Sequence, residues 1–192
     1  TKSPLPEQLM ELLERASEQA HRAGEIIRHL REFVGKSNSC REPRDVDTIV
    51  AAVIELLKYE VQKSHATIEF HPGCPACSVR VDTIQIEQVL INMVRNSLEA
   101  IAEANLFDGR VVIRTGLSAN DMVEVTVADN GPGINAEIAD TLFDPFQTNK
   151  ASGMGIGLSL SRAIIEAHEG RLWVDKDRHN GALFGFQLPV SK

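Results

Sequence analysis

The sequence predicts an α+β fold, a mixed sheet covered by helices and preceded by one long amphipathic helix. Three observations carry this expectation. Apolar residues recur at helical spacing in several stretches, and short β-branched runs follow one another at hairpin spacings. The 43% hydrophobic and 24% charged content is that of a globular chain, not of a disordered one.

Between Leu5 and Val34 the apolar positions Leu9, Leu12, Ala16, Ala20, Ala23, Ile27, Leu30 and Val34 paint one stripe on a long helix. Pro4 and Pro6 suit its start, and Gly35 suits its end. The polar segment from Lys36 to Asp45 has no apolar period and reads as a linker. The chain thus divides into a helix over 1–36, a linker over 37–44 and an α+β domain over 45–192. Asp47 is expected to cap a helix whose inner face is Val50, Val53, Ile54, Leu57 and Val61. Thr67 to Phe70 and Ser78 to Val81 read as short strands joined by a turn containing Pro72, Gly73 and Pro75. A second long helix runs from near Asp82 to about Ala104. Arg110 to Thr115 and Met122 to Ala128 read as a strand pair, and a glycine-rich region follows from Asp129 to Gly157. A helix over Leu158 to His168 and strands over Arg171 to Val174 and Leu183 to Leu188 close the chain.

Charge narrows the function classes. Twenty Lys and Arg against 27 Asp and Glu leave a net charge of −7, which argues against a dedicated nucleic-acid binder but leaves room for a local polyphosphate site. No apolar run approaches the roughly 20 residues needed to cross a bilayer, so no direct membrane contact is expected, and the chain reads as cytoplasmic.

Two features carry chemistry. On the second long helix Ile86, Val89, Leu90, Met93, Val94 and Ile101 form a core face, while Gln88, Asn92, Arg95, Asn96 and Glu99 form a polar stripe. Asn disfavours helix interiors, yet its amide oxygen suits a hard cation such as Mg²⁺; a solvated face with an incidental Asn pair fits the pattern too. The second feature is glycine. Asp129 ends a strand and precedes Gly131 and Gly133, where a carboxylate can accept from an exocyclic amine and the backbone can approach a base, although Asp-Asn-Gly is also ordinary turn chemistry. Gly153, Gly155 and Gly157 lead into a helix start, whose N–H groups can cradle phosphate; a plain surface loop has the same composition.

In order and spacing these segments resemble the catalytic ATP-binding domain of bacterial sensor histidine kinases, within the superfamily of gyrase, the mismatch-repair ATPases and the ninety-kilodalton heat-shock chaperone. Gln88-Val-Leu-Ile-Asn92-Met-Val-Arg-Asn96 resembles the N box, Asp129-Asn-Gly131-Pro-Gly133 the first glycine box and Phe143-Asp-Pro-Phe146 the F box. Gly153-Met-Gly155-Ile-Gly157-Leu158 resembles the second glycine box, and Gly181 to Pro189 the last strand pair. Arg22 to Arg28 and Thr148-Asn-Lys150 are most similar to the PAS-linked oxygen- and light-sensing kinases.

The resemblance implies a Bergerat-type sandwich holding ATP between the N-box helix and a lid over about Asp144 to Gly153. It implies Mg²⁺ on Asn96 with Asn92 in support, Asp129 on the adenine amine, Gly131 and Gly133 admitting the base, and Lys150 neutralising the γ-phosphate. Arg95, Glu99, Ile134, Thr148, Gly153, Met154, Gly155, Ile156, Gly157 and Leu158 complete the implied nucleotide surroundings, with Asn92, Asn96 and Lys150 as the catalytic set. Where the superfamily's ATPases carry a Glu to activate water this chain has Asn92, which favours transfer to a protein nucleophile. Glu99 stands where many relatives have Lys, so Arg95 becomes a second phosphate candidate. No phosphoacceptor box is present: only His168 precedes a Glu. The implied partners are ATP or ADP, a phosphoacceptor helix outside this chain, a response-regulator receiver domain, and a second copy in a full-length homodimer whose hairpin would include helix 1–36. Rival readings are an ATPase, a serine-directed anti-sigma kinase and a docking module with a structural nucleotide.

Cys74 and Cys77 form a Cys-x-x-Cys that formally permits a redox pair or, with His71 and Cys40, a zinc site; with no second ligand pair, and lying in a turn between strands and not at a helix start, they read as two ordinary thiols. Trp173 is expected to pack in the core.

Overall fold

The computed structural model describes residues 41–74, 77–118, 120–135, 141–145, 155–176, 178 and 180–191. All belong to one unit, Ser39–Lys192. The helix expected over 1–36 and the first residues of the linker lie outside the described residues.

Seven strands and three helices follow in the order β1 (Glu42–Asp45), α1 (Val46–Lys63), β2 (Thr67–His71), β3 (Ser78–Val81), α2 (Thr83–Glu103), β4 (Arg110–Leu117), β5 (Met122–Asp129), α3 (Gly157–Ala167), β6 (Arg171–Val174) and β7 (Leu183–Pro189) among the described residues. The main sheet has the order β2-β4-β5-β7-β6. Only the β2–β4 pair is parallel, with Ile68 beside Val111; the other neighbours are antiparallel, with Val127 beside Phe184. The sheet is therefore mixed, as expected.

Two local expectations change. Glu42–Asp45, read as linker, is a strand antiparallel to β3. Its side chains are mostly exposed, so pairing uses the backbone and leaves no apolar period in the sequence; Pro43 is tolerated because the strand is an edge. Asp45, not Asp47, caps α1, accepting from the Thr48 N–H at 3.1 Å and the Thr48 hydroxyl at 2.7 Å. Asp47 instead accepts from Thr115 Oγ1 at 2.5 Å, and that oxygen accepts from the Gly73 N–H at 2.9 Å. One hydroxyl thus ties the start of α1, strand β4 and the loop after β2 together.

The core lies between the sheet and the helices. Val123, Val125 and Val127 alternate inward on β5, as do Phe184, Phe186 and Leu188 on β7, and all are buried. They meet Val50, Val53 and Leu57 of α1, Ile86, Val89, Leu90, Met93, Val94 and Ile101 of α2, and Ile164 and Ile165 of α3. Fully burying one such side chain contributes about 1.5–3 kcal/mol. Ile54 and Val61, expected inside, are partly buried at the edge of this cluster.

Trp173 departs from expectation. It sits opposite Gly185 in the β6–β7 register, outside the core cluster, and its ring fills the space that a side chain at Gly185 would need. Cys74 and Cys77 are joined by a disulfide, with Cα atoms 5.4 Å apart and the Cys77 N–H donating to the Cys74 carbonyl at 3.1 Å. This corrects the reading of two ordinary thiols: the spacing permits such closeness but does not demand it.

Candidate nucleotide-binding site

Asp129, the last residue of β5, is buried. Its Oδ1 accepts from the backbone N–H groups of Gly131 and Ala182, each at 2.9 Å, and its Oδ2 accepts from the Ser97 hydroxyl at 2.9 Å. The carboxylate is therefore oriented by the strand end, by the loop before β7 and by α2. Gly181 makes this possible: at φ +81° it lies against the Asp129 carbonyl, where a Cβ would overlap the oxygen. A Cβ on Gly131 would come within 3.0 Å of Asp129 Oδ1, and Gly133 has φ +85°. Asn130 secures the loop, accepting from the Arg110 N–H at 2.7 Å and donating to the Asp108 carbonyl at 2.9 Å. Ile134 packs partly buried against the core.

The polar stripe of α2 leads to the same place. Asp82 caps this helix, accepting from the Ile84 N–H at 3.1 Å. Asn92 is partly buried between α2 and α3: its Nδ2 donates to Ser161 Oγ at 3.0 Å, and its Oδ1 occupies the space a Cβ would take on Gly157. Asn96 is partly buried one turn further on, next to Ser97, and Glu99 is exposed. Arg95, the second phosphate candidate, reaches toward α1. Its guanidinium forks onto Glu60 of α1, Nε at 2.8 Å and Nη2 at 2.6 Å. That hydrogen bonding holds the Glu60 carboxyl below the usual carboxylate range.

At the start of α3, Ile156 is the N-cap and makes no side-chain cap bond. Gly155 just before it has φ +65°, and Ile156 and Leu158 are half-buried. Among the described residues no side-chain cap bond from Ile156 engages the N–H groups of this first turn, as an anion-binding helix start requires. Thr148, Lys150, Gly153, Met154 and Phe146 lie outside the described residues, whereas Phe143 packs against the core with the Arg162 guanidinium 6.0 Å from its ring. Two grooves of about 460 and 380 Å³ are lined elsewhere, around Trp173 and around Phe107, and neither includes Asp129 or Asn96.

His168, the one His-Glu pair in the chain, is a structural residue. It is buried, Nδ1–H donates to the Ile164 carbonyl at 2.8 Å, and Nε2 accepts from the Asp82 N–H at 3.1 Å. Both ring nitrogens are engaged, so neither is open to a phosphoryl group.

Residues 81–192 match the family of Histidine kinase-, DNA gyrase B-, and HSP90-like ATPases. The chain belongs to this family. As a member of this ATPase family it is 41% identical over 181 residues to the sensor protein FixL of Bradyrhizobium diazoefficiens, covering 93% of this chain and 35% of that protein. The chain therefore spans about a third of that relative's length. The catalytic domain of the histidine kinase ThkA has 32% identity and a TM-score of 0.68, covering 78% of this chain and 95% of the ThkA chain. A structure of ThkA in complex with the response regulator protein TrrA has 27% identity and a TM-score of 0.77 over 98% of this chain and 53% of the other. The fold is accordingly the Bergerat-type sandwich of histidine-kinase catalytic domains.

Ser97 and Ser161 were not singled out by the sequence reading, and Gly181 was placed only in the last strand pair. Their signal is weak in one dimension. A Ser inside an apolar helix face, and a Gly just before a strand, gain meaning only when Asp129 and Asn92 are placed beside them.

Proposed function

We propose that this domain binds ATP with Mg²⁺ between α2 and a lid over about Asp144 to Gly153, and transfers the γ-phosphoryl to a His on a phosphoacceptor helix outside this chain. A response-regulator Asp then receives it. The observation that carries the reading is the Asp129 carboxylate, buried and fixed by three donors, beside a helix whose next polar residue is Asn96. Asp129 accepts from the adenine amine, and Gly131 and Gly133 let the base approach.

Asn96 offers an amide oxygen to the metal, supported by Asn92. Among the described residues no three His, Cys, Asp or Glu side chains converge, which suits an ion held by one or two protein oxygens plus phosphates. The metal, when bound, neutralises charge on the transferred group. Lys150 does the same from the lid with Thr148 beside it, and Gly153, Gly155 and Gly157 let the backbone of the lid and the first turn of α3 offer N–H groups to phosphate. Asn92 replaces a general base with an amide tied to Ser161, so water attack is unassisted and transfer to a protein nucleophile is favoured. Helix 1–36 serves in the dimerisation hairpin of a longer, cytoplasmic kinase domain; among the described residues no helix is long and apolar enough to cross a membrane.

The test is incubation with Mg²⁺ and γ-labelled radioactive ATP. This chain remains unlabelled, whereas a longer chain with a His-Glu phosphoacceptor helix ahead of Thr1 acquires acid-labile, base-stable label. Label on His21 or His29 of this chain alone contradicts the assignment of the acceptor to another helix.

A further inference from the structure

We propose that Ser97 is a specificity-determining residue of the nucleotide site, and that its hydroxyl sets the preference for a purine bearing an exocyclic amine over one bearing a carbonyl at that position. The inference deepens the function proposed above and rests on Asp129 facing the base.

A Ser in the middle of a helix gains nothing from propensity, and a buried hydroxyl requires a partner. Ser97 is 1% exposed, and its partner is Asp129 Oδ2 at 2.9 Å. An ionised carboxylate offers about four lone-pair positions and no donor. Gly131 and Ala182 occupy two on Oδ1, and Ser97 occupies one on Oδ2. One position on Oδ2 is left for a ligand.

The direction of the Ser97 bond matters as much as its presence. Its single proton points at a group that can only accept, so this end of the site offers a ligand acceptors alone. An amine donates into the remaining position, whereas a carbonyl would set oxygen against oxygen. Without the hydroxyl, Oδ2 has a second open position that water can take. Such a water donates one proton to Oδ2 and turns the other to a carbonyl, which adapts the site to the wrong base.

The test is calorimetric binding of ADP and of inosine diphosphate, which differs by a carbonyl in place of the amine, with Mg²⁺ present. The wild-type chain prefers ADP. In Ser97→Ala the ADP preference falls several-fold, because the water that takes the freed position on Oδ2 can serve a carbonyl. Ser97→Thr, which keeps the hydroxyl, retains the preference. Thermal unfolding without nucleotide establishes that each variant is folded; should Ser97→Ala not fold, Ser97→Cys, a weak donor, carries the same expectation of a reduced preference. An unchanged ratio in the folded Ala or Cys variant overturns the role of Ser97 alone. A wild-type chain that binds both nucleotides equally overturns the placement of Asp129 on the base.

Discussion

His168, at the C-cap of α3, accepts the backbone N–H of Asp82, the N-cap of α2, at 3.1 Å, so one neutral imidazole joins the end of α3 to the start of α2. Burial pushes its pKa below the ordinary histidine value, and the nearby Arg41 adds to this, while hydrogen bonding to Ile164 and the charge of Asp82 oppose it. Protonation would turn Nε2 from acceptor to donor against an N–H. The unfolded chain therefore takes the proton first: stability is full above the unfolded value of about 6.5 and is lost as pH falls from there through the lower folded value. Thermal unfolding between pH 5 and 8 measures this slope. In His168→Phe the slope shrinks, and stability at neutral pH drops by about 1–3 kcal/mol because the Asp82 N–H loses its acceptor.

The contact of Asn92 with Gly157 predicts a coupled pair. A Cβ on Gly157 meets Asn92 Oδ1, so Gly157→Ala must either expel the Asn92 side chain from Ser161 or push α3 away from α2. It costs about 1–3 kcal/mol in denaturant unfolding. Asn92→Ala makes room, so the double variant is more stable than the sum of the single losses allows. Strict additivity would mean that the two residues do not meet.

Gly155 presents a backbone problem instead. At φ +65° an alanine costs about 1 kcal/mol, yet the residue lies before α3 and outside the core, so Gly155→Ala stays folded. Its effect appears as weaker binding of ADP with Mg²⁺, measured by calorimetry. Unchanged affinity would remove this loop from the phosphate site.

The Glu60 pairing leads to the expectation that Arg95 serves the scaffold and not the phosphates. Its side chain is 52% exposed, so its fork onto Glu60 contributes less than about 1 kcal/mol despite good geometry. Arg95→Ala accordingly leaves nucleotide affinity within about twofold and shifts unfolding only slightly, by the weak contribution of an exposed ion pair. A large loss of affinity with stability intact would return Arg95 to the phosphates.

The helices and the strands of the main sheet were legible because their side chains carry the pattern. The apolar stripe of α2 and the alternation along β5 each report which face is inside, and Asp82 caps α2 where the sequence suggests. β1 was invisible because Glu42–Asp45 pairs through its backbone while facing solvent. Strand order was also hidden: β2 and β3 look like a hairpin, but β2 joins β4 in parallel and β3 turns away to β1. Local spacing says nothing about such non-local pairing. Within the site, Asp129, Asn92 and the glycines announce themselves through residue types unusual for their elements. Ser97 and the Glu60 partner of Arg95 do not, because an ion pair across 35 positions and a hydroxyl aimed at a strand end are properties of packing.

The central claim is that Asp129 holds the base and Asn96 holds the metal of one bound nucleotide. Calorimetric titration of ADP into the wild-type chain, Asp129→Ala and Asn96→Ala, each with and without Mg²⁺, tests it most directly. Asp129→Ala loses affinity under both conditions, because a base contact does not depend on the metal, whereas Asn96→Ala loses affinity chiefly when Mg²⁺ is present. Equal losses in the two variants regardless of Mg²⁺, or undiminished binding in Asp129→Ala, would contradict the account.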